Sequence, residues 1–539
     1  MIMRTNKIIA AAVAVLLCGS SAFAQTRNFK LGQWTEIQNS ILKELNRSYV
    51  DSLPVDRIER AGINAMLDAL DPYTIYIPEE ENEDLQMMVS KSYGGIGAVI
   101  YKPDQNGNVI INEPYKNSPA EKYGLRCGDE IMEIDGQTTH GLSSQEASDR
   151  MKGKPGTTVR FKVKKVYTGE VVDIDVTRER IHLPDVEYYG MLDSQTGYIY
   201  QSGFTENVSG EIRNAVLDLK KQGMKKLVLD LRGNGGGLMS EAVNIVSLFV
   251  PKGSLVVSSK GKGSGEQQYK TTSEPIDTQI PIIVMVDGGS ASSSEIVTGA
   301  LQDLDRATVM GTRTYGKGLV QTIRPLPYNG QIKVTTAKYY TPSGRCVQAI
   351  DYAKRNEDGS VAHIPDSLTH EFKTAHGRIV KDGGGITPDV IVKGHEYSRL
   401  TFSLVYSNII QEYTLKFVRE HQSVPEDWKM TDADWKDFVE FAKTKEFDYR
   451  STAKTYFDQV KKELEKDGLA ESMKDQIAAM SKALEMDKET FLNLKRDEIV
   501  PFIEEEIMVR YFFQEAGIKT RLRYDDQLKE ALTKPLISL

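Results

Sequence analysis

Apolar positions along the chain change their spacing several times, and each change marks a new kind of element. Up to about Val89, the runs WTEIQNSILKELNRSYVD and VDRIERAGINAMLDAL carry apolar residues at 3.6-type spacing, which predicts amphipathic helices in a segment suited to a dimerisation arm or a lid. From Ser90 to Arg180 the pattern becomes short alternating runs punctuated by Asn106-Gly107 and Asp135-Gly136, the mark of a small β-rich domain. Within it, SSQEASDRMKG reads as a helix and TVRFKVKKVYTGEVVDIDVTRE as a strand pair. From Ile181 to His395, continuous apolar runs such as KKLVLDL and PIIVMVD read as buried strands, each followed by a small-residue turn and a helical pattern. Beyond Glu396, STAKTYFDQVKKELEKDG and EIVPFIEEEIMVRYFFQEAG predict long charged amphipathic helices. Their charge runs read as solvated faces of a structural bundle, with oligomerisation or partner docking as the functional alternative.

The chemistry concentrates between Asp287 and Gln321, DGGSASSSEIVTGALQDLDRATVMGTRTYGKGLVQ. A hydroxyl between the strand Pro281–Asp287 and the helix Glu295–Leu304 sits on a sharp turn, where amide N–H groups at the helix start can stabilise an oxyanion. Four neighbouring hydroxyls, Ser290, Ser292, Ser293 and Ser294, compete for that role. Ser292 and Glu295 also form an S-x-x-E capping box, which needs no catalysis to explain it. Lys317, in TYGKG, reads as a general base, an anion ligand or a surface lysine, and serves as a base only if its environment lowers its pKa towards neutrality. Upstream, DLRGNGGG between a strand and a helix can bring backbone N–H groups close to a substrate, or can be a tight turn with no ligand. No G-K-S/T follows it, which excludes a P-loop, and its spacing does not fit a dinucleotide fingerprint.

SASSSEIVTGALQD followed by GTRTYGKGLVQ resembles the carboxyl-terminal processing, or tail-specific, serine protease family, whose pattern is close to SASASEI…D…GxxTxGKGxVQ. The resemblance makes Ser292 the nucleophile, Lys317 the base and Gln321 the residue that supports the lysine. Asp303 matches a further acidic position of the family. Ser293 stands where the family usually has alanine, and would give its backbone N–H to the oxyanion hole. DLRGNGGG is similar to the family's DLRxNxGG turn, which makes Gly235 or Gly236 the second donor. GGGITPDVIV, Gly383 to Val392, also matches the family and closes the predicted catalytic domain.

In the β-rich region, YGGIG and SPAEKYGLRCGDEIMEIDG resemble a PDZ domain. The resemblance implies capture of a peptide C-terminus, with the N–H groups of Gly95, Ile96 and Gly97 on the carboxylate and the peptide added as a strand to a sheet edge. An arginine in the GLxxGD region has been linked in the family to switching the active site on, so Arg126 is a candidate sensor, with a solvated loop arginine as the alternative.

The implied architecture is a multidomain α/β protein: a helical N-terminal segment (25–89), a PDZ-like β-rich domain (90–180), an α/β catalytic domain with a crotonase/Clp-protease-like sheet core (181–395) and a helical C-terminal domain (396–539). The implied function is a serine endopeptidase with a Ser-Lys dyad that recognises apolar C-terminal tails and cleaves nearby, without a cofactor. The competing reading is a proteolytically inactive tail-binding scaffold or chaperone, and a third is hydrolysis of a small ester or amide on the same sheet.

Composition and the N-terminus set further bounds. A chain of 539 residues, 40% of them hydrophobic, has room for three or four domains at the usual ~100–200 residues each. A net charge of −8 argues against a nucleic-acid partner, and the seven histidines form no metal-ligand pattern. A serine-histidine triad drawing on His182, His363 or His376 is the minor alternative to the lysine dyad. Met1 to Ala24 carries basic Arg4 and Lys7, an apolar core from Ile8 to Leu17 and the small-x-small site Ala22-Phe23-Ala24, which together read as a cleavable secretory signal. Periplasmic or extracellular residence follows, with no spanning segment after cleavage. Lipid anchoring at Cys18 is disfavoured because Leu17 is not the small residue that processing normally needs. Cys127 and Cys346 then remain, expected as free thiols. Protein or peptide substrates are the expected partners, and a homo-oligomer or an adaptor would be an addition.

Overall fold

The computed structural model describes residues 28–103, 106–263, 265–356 and 360–537, apart from the side chains of Glu83, Asp84 and Ala353. The signal-like segment and Cys18 lie outside the described residues. Contacts divide the chain into two units, Met1–Tyr76 and Ile77–Leu539. In the first, residues 28–48 and Val55–Asp68 are helical, as the apolar spacing predicts. Trp34, Ile37 and Ile41, three and four residues apart on one helix face, remain exposed.

In the second unit a 3-10 turn, Glu79–Glu81, leads into the helix Asn82–Ser90, and the β-rich domain follows. Its sheet runs Ala98–Tyr101, Val109–Pro114, Glu130–Ile134, Thr158–Lys164 and Val171–Thr177 in neighbouring order. The alternation in TVRFKVK is realised directly: Val159, Phe161 and Val163 are fully buried while the residues between them face outward. Asp135 and Gly136 both have positive φ, 49° and 77°, the two-residue turn that Asp-Gly favours between paired strands. The helix Ser144–Met151 begins with a reciprocal capping box between Ser143 and Glu146.

A six-stranded sheet has the order Val186–Met191, Thr196–Gln201, Lys226–Asp230, Ile282–Val286, Thr308–Gly311 and Val390–Ile391. All neighbours after the first pair are parallel. Both of its faces are covered. Leu227, Leu229, Ile282 and Val284 pack with the helices Val208–Lys221, Met239–Ser247 and Ser293–Asp303, while Val228, Ile283 and Met285 pack with Leu528 and Ala531 of the C-terminal helix Asp526–Thr533. Burial on both sides is why these strands read as unbroken apolar runs. A second, antiparallel sheet joins Leu319–Pro325, Gln331–Tyr340, Leu255–Gly261 and Gly265–Lys270.

The C-terminal helices gather around Tyr413, Trp435, Phe438, Leu492 and Ile503. The segment EIVPFIEEEIMVRYFFQEAG, Glu498 to Gly517, predicted as one helix, lies within the helical span Arg496–Leu522, which is broken at Phe512 and Phe513, where φ reaches −134° and +66°. Arg510, just before the break, bonds Thr414 Oγ1 at 2.8 Å and Asn112 Oδ1 at 2.7 Å, and its Nη1 donates to Cys127 Sγ at 3.5 Å. The helical domain is thereby fastened to the β-rich one. It is fastened to the six-stranded sheet through Arg232, which pairs with Asp230 and with Asp525. Cys127 and Cys346 are both free thiols, and burial raises both pKa values. Among the described residues, no helix is long and apolar enough to cross a membrane.

Candidate active site

Two turns leave the C-terminal ends of adjacent parallel strands, where open α/β sheets place their ligand sites. One follows Asp230 and contains the glycines; the other follows Val286 and contains the serines. They are laced together: Ser290 Oγ donates to Leu231 O at 2.7 Å, Ser294 Oγ to Asn234 O at 2.8 Å, Ser293 Oγ to Gly237 O at 2.9 Å, and Ala291 N to Asn234 O at 3.0 Å. Three of the four competing hydroxyls are therefore spent on holding the glycine turn against the serine turn.

Ser292 differs from its neighbours. Its φ of +56° and ψ of −115° lie where L-residues are rarely found, on the strand-to-helix turn that exposes a side chain above the sheet. Such backbone strain costs on the order of 1–3 kcal/mol and needs surrounding bonds to offset it. Glu295 Oε2 accepts the Ser292 N–H at 3.0 Å, the return half of the capping box, while Ile296 N and Tyr339 Oη donate to Ser292 O at 3.0 and 3.2 Å.

Glu295 is fully buried and does more than cap a helix. Its Oε1 accepts from Thr314 Oγ1 at 2.6 Å and Gly316 N at 2.8 Å, and its Oε2 also takes Lys317 N at 2.8 Å. One carboxylate thus holds the backbones of Ser292 and Lys317 together. Burial raises its pKa, with these four donors acting in the opposite sense. The glycine in TYGKG has a steric cause: a Cβ at Gly316 would lie 2.4 Å from that of Ala349.

Ser292, Ser293, Lys317, Gln321, Gly235 and Gly236 line one cavity of about 380 Å³. Its apolar wall comes from Leu85, Met88 and Val89 of the helix Asn82–Ser90 and from Leu238, Ile296 and Ile323. Lys317 is half-buried. The Gln321 amide donates to Thr335 Oγ1, across the hairpin, at 3.3 Å.

The glycines divide their work. Gly236 N donates to Asn234 Oδ1 at 2.9 Å, whereas Gly235 N has no partner among the described residues. Of the two, only the Gly235 N–H is therefore left to meet a ligand, as is the Ser293 N–H in the first turn of its helix. Gly236 supplies close approach instead, since a Cβ there would sit 2.7 Å from Ser292 Cβ and 2.9 Å from Ser293 N, at a φ of +96°. Gly236→Ala is expected to cut kcat/KM by about 100-fold or more, because its Cβ would displace Ser292 and the Ser293 N–H, while Gly235→Ala, with open space at its Cβ, is expected to be nearly neutral. Steady-state kinetics on the two variants checks this.

The remaining candidates are placed as follows. Asp303 lines no part of this cavity. Its carboxylate pairs with buried Arg345 at 2.7 Å and accepts from Thr341 Oγ1 and Ser343 N, so it anchors the YYTPSGRC segment. His182, His363 and His376 do not line the cavity either: His182 lies beside Ser92 and Glu211, and His376 beside Asp305. In the β-rich domain, Gly95, Ile96 and Gly97 form the turn between Ser92–Gly95 and the edge strand Ala98–Tyr101, whose outer side pairs with no strand among the described residues. The N–H groups of Ile96 and Gly97 have no backbone partner there, while Ile96 O and Gly97 O hold the turn through Ala120 N and Tyr115 N. The Arg126 side chain is exposed and away from the Ser292 cavity. Sequence reasoning missed the bridging role of Glu295, the Tyr339 hydroxyl and Lys333, another cavity residue. For Lys333 the available signal was its place in the alternating strand QIKVTTAKYY.

Comparison with known proteins agrees with this layout. The model of peptidase family S41 matches residues 195–354, a PDZ domain model matches 110–165, and the C-terminal helical domain of probable PDZ-proteases matches 400–534. A carboxy-terminal-processing protease of Bartonella bacilliformis is 36% identical over 58% of this chain and 71% of its own length. A probable CtpA-like serine protease of Staphylococcus aureus is 36% identical over 58% of this chain and 62% of its own length. A solved photosystem II D1 C-terminal processing protease is 26% identical, covering 65% of this chain and 91% of that one, at a TM-score of 0.34. A PDZ domain, a catalytic domain and a helical C-terminal domain in that order, with a relative at this identity over most of its length, establish that the chain belongs to peptidase family S41, the carboxy-terminal-processing serine peptidases.

Proposed function

We propose that this protein is a secreted endopeptidase that recognises the C-terminal tails of protein substrates and cleaves near them with a Ser292–Lys317 dyad. The observation that carries this reading is Ser292 itself, held at a φ of +56° on the rim of an apolar-walled cavity it shares with Lys317. The tail's carboxylate meets the N–H groups of Ile96 and Gly97, and the tail extends the sheet along Ala98–Tyr101. The Lys317 amine, acting uncharged, takes the Ser292 proton as Oγ attacks the scissile carbonyl. The N–H groups of Ser293 and Gly235 hold the oxyanion, and Lys317 then protonates the leaving amine. Water enters, gives its proton to Lys317 and releases the acyl group, which restores the Ser292 hydroxyl. Gln321 orients the lysine. The apolar cavity wall favours apolar residues at the cut, and the exposed Trp34, Ile37 and Ile41 stripe suits self-association.

The test uses the purified protein without its signal-like segment and one unfolded substrate with three ends: an apolar tail, a charged tail, and the apolar tail amidated. Cleavage is followed by mass spectrometry. The apolar free tail is expected to be cut about 10-fold or more faster than the other two. Equal rates on all three would remove tail recognition from the proposal, and no cleavage of any would remove the peptidase activity.

A further inference from the structure

The hairpin of Leu319–Pro325 and Gln331–Tyr340 forms one wall of the Ser292 cavity. Its register sets Gln321 opposite Thr335 and Ile323 opposite Lys333. Directly opposed residues share a face of an antiparallel pair, as do residues two apart on one strand. Gln321, Ile323 and Lys333 accordingly all reach the cavity. Lys333 is half-buried, and burial lowers its pKa with no carboxylate acting against it. Its ammonium has no hydrogen-bond or ion-pair partner among the described residues. Two other lysines withdrawn from solvent each have one: Lys91 sits 2.7 Å from Asp185, and Lys445 pairs with Glu412 at 2.5 Å. A cation partly removed from water without a counter-charge is unfavourable, and it is left so where a ligand brings the missing charge.

We propose that Lys333 is the polar determinant of a substrate subsite that receives a carboxylate from the bound polypeptide. The Ile323–Lys333 pair lies two residues along the hairpin from the Gln321–Thr335 pair, about 7 Å at the strand rise. A substrate extended alongside covers that distance in about two residues. The carboxylate therefore belongs to a residue about two positions from the one beside Gln321, as an acidic side chain or as a chain terminus. The apolar wall of the cavity excludes water from the pair and strengthens it. Tail capture on the PDZ domain selects the protein; this subsite selects where along it the cut falls.

The inference rests on the peptidase reading of the same cavity, so its test has a binding arm that does not need turnover. Peptides with an apolar tail carry Glu, Gln or Lys at one position walked along both sides of the scissile bond, with free or amidated ends. They are given to the wild type, Lys333→Met and Lys333→Glu. At one position the wild type is expected to favour Glu over Gln by about 10-fold or more in kcat/KM, the scale of one charge-assisted hydrogen bond. That ratio is expected to fall towards one in Lys333→Met and to turn in favour of Lys in Lys333→Glu. A Glu preference that depends on Lys333 assigns an acidic side chain; a preference for the free over the amidated end that depends on Lys333, with Glu and Gln equal, assigns the chain terminus. Glu-to-Gln and free-to-amidated ratios that are both the same in wild type and Lys333→Met at every position would overturn the subsite. If the wild type cuts none of the peptides, the peptidase reading fails, and anisotropy titrations of Ser292→Ala with and without Lys333→Met still decide. A part of the affinity that depends on Glu or on the free end and vanishes with Lys333 supports the subsite, and a dependence on both that Lys333→Met leaves unchanged overturns it.

Discussion

Ser292→Ala is expected to lower kcat/KM by about 10⁴-fold or more while leaving the melting temperature within a degree or two of wild type, since what remains is binding and oxyanion stabilisation without a nucleophile. The backbone of residue 292 would keep its bonds to Glu295, Ile296 and Tyr339, so the site should stay assembled around the alanine. No neighbouring hydroxyl is positioned to take over, because Ser290, Ser293 and Ser294 are committed to Leu231, Gly237 and Asn234. Lys317→Ala should cost nearly as much, and the double variant little more than either alone, because a nucleophile and its base act as a unit. Lys317→Arg separates the roles: a guanidinium is always protonated, so it can replace an anion ligand but not a base. Cleavage rates by mass spectrometry, with circular dichroism as the folding control, read all four variants. Ser292→Ala activity within 10-fold of wild type would place the nucleophile elsewhere, and an active Lys317→Arg would make the lysine an anion ligand.

The fold was legible where burial is two-sided or strictly alternating. PIIVMVD has no polar position to spare because helices cover one face of its strand and the C-terminal helix the other, whereas TVRFKVK alternates because one face is wet. What sequence could not show was long-range partnership. Asp303 carries an acidic pattern match, but its partner Arg345 is 42 residues away, and only the folded chain reveals an anchor remote from the cavity. The two glycine candidates, equivalent in DLRGNGGG, were separated by Asn234, whose side chain accepts one N–H and leaves the other. In the C-terminal domain, EIVPFIEEEIMVRYFFQEAG keeps helical periodicity through Phe512 and Phe513, so the break there left no mark in the apolar pattern. The four serines show the same limit most sharply. Spacing alone made them interchangeable, and what distinguishes them is which carbonyl of the opposing turn lies within reach.

Glu295→Ala is expected to destabilise the protein by several kcal/mol as well as to abolish cleavage, a combination that neither dyad substitution should produce. The truncation leaves the N–H groups of Ser292, Gly316 and Lys317 and the Thr314 hydroxyl facing a dry space, and each buried donor without an acceptor costs about 1–3 kcal/mol. Against a typical total of about 5–15 kcal/mol, that sum is large enough to leave part of the population unfolded at ambient temperature. Glu295→Gln tests the electrostatics more gently. Its amide oxygen can still take two of the four donors, but its NH₂ must face the other two. Thr314 can turn its hydroxyl, at the risk of the bond its Oγ1 accepts from Ile386 N; a backbone N–H cannot. The glutamine variant should therefore fold with a lowered melting temperature and lose kcat with little change in KM, because the Ser292–Lys317 spacing relaxes while the PDZ domain, distant in sequence, keeps its own structure. Denaturant titration and steady-state kinetics on both variants measure this. If Glu295→Ala melts like wild type, the carboxylate is not what holds the two turns together, and the strained φ of Ser292 must be offset by the lacing of Ser290, Ser293 and Ser294 alone.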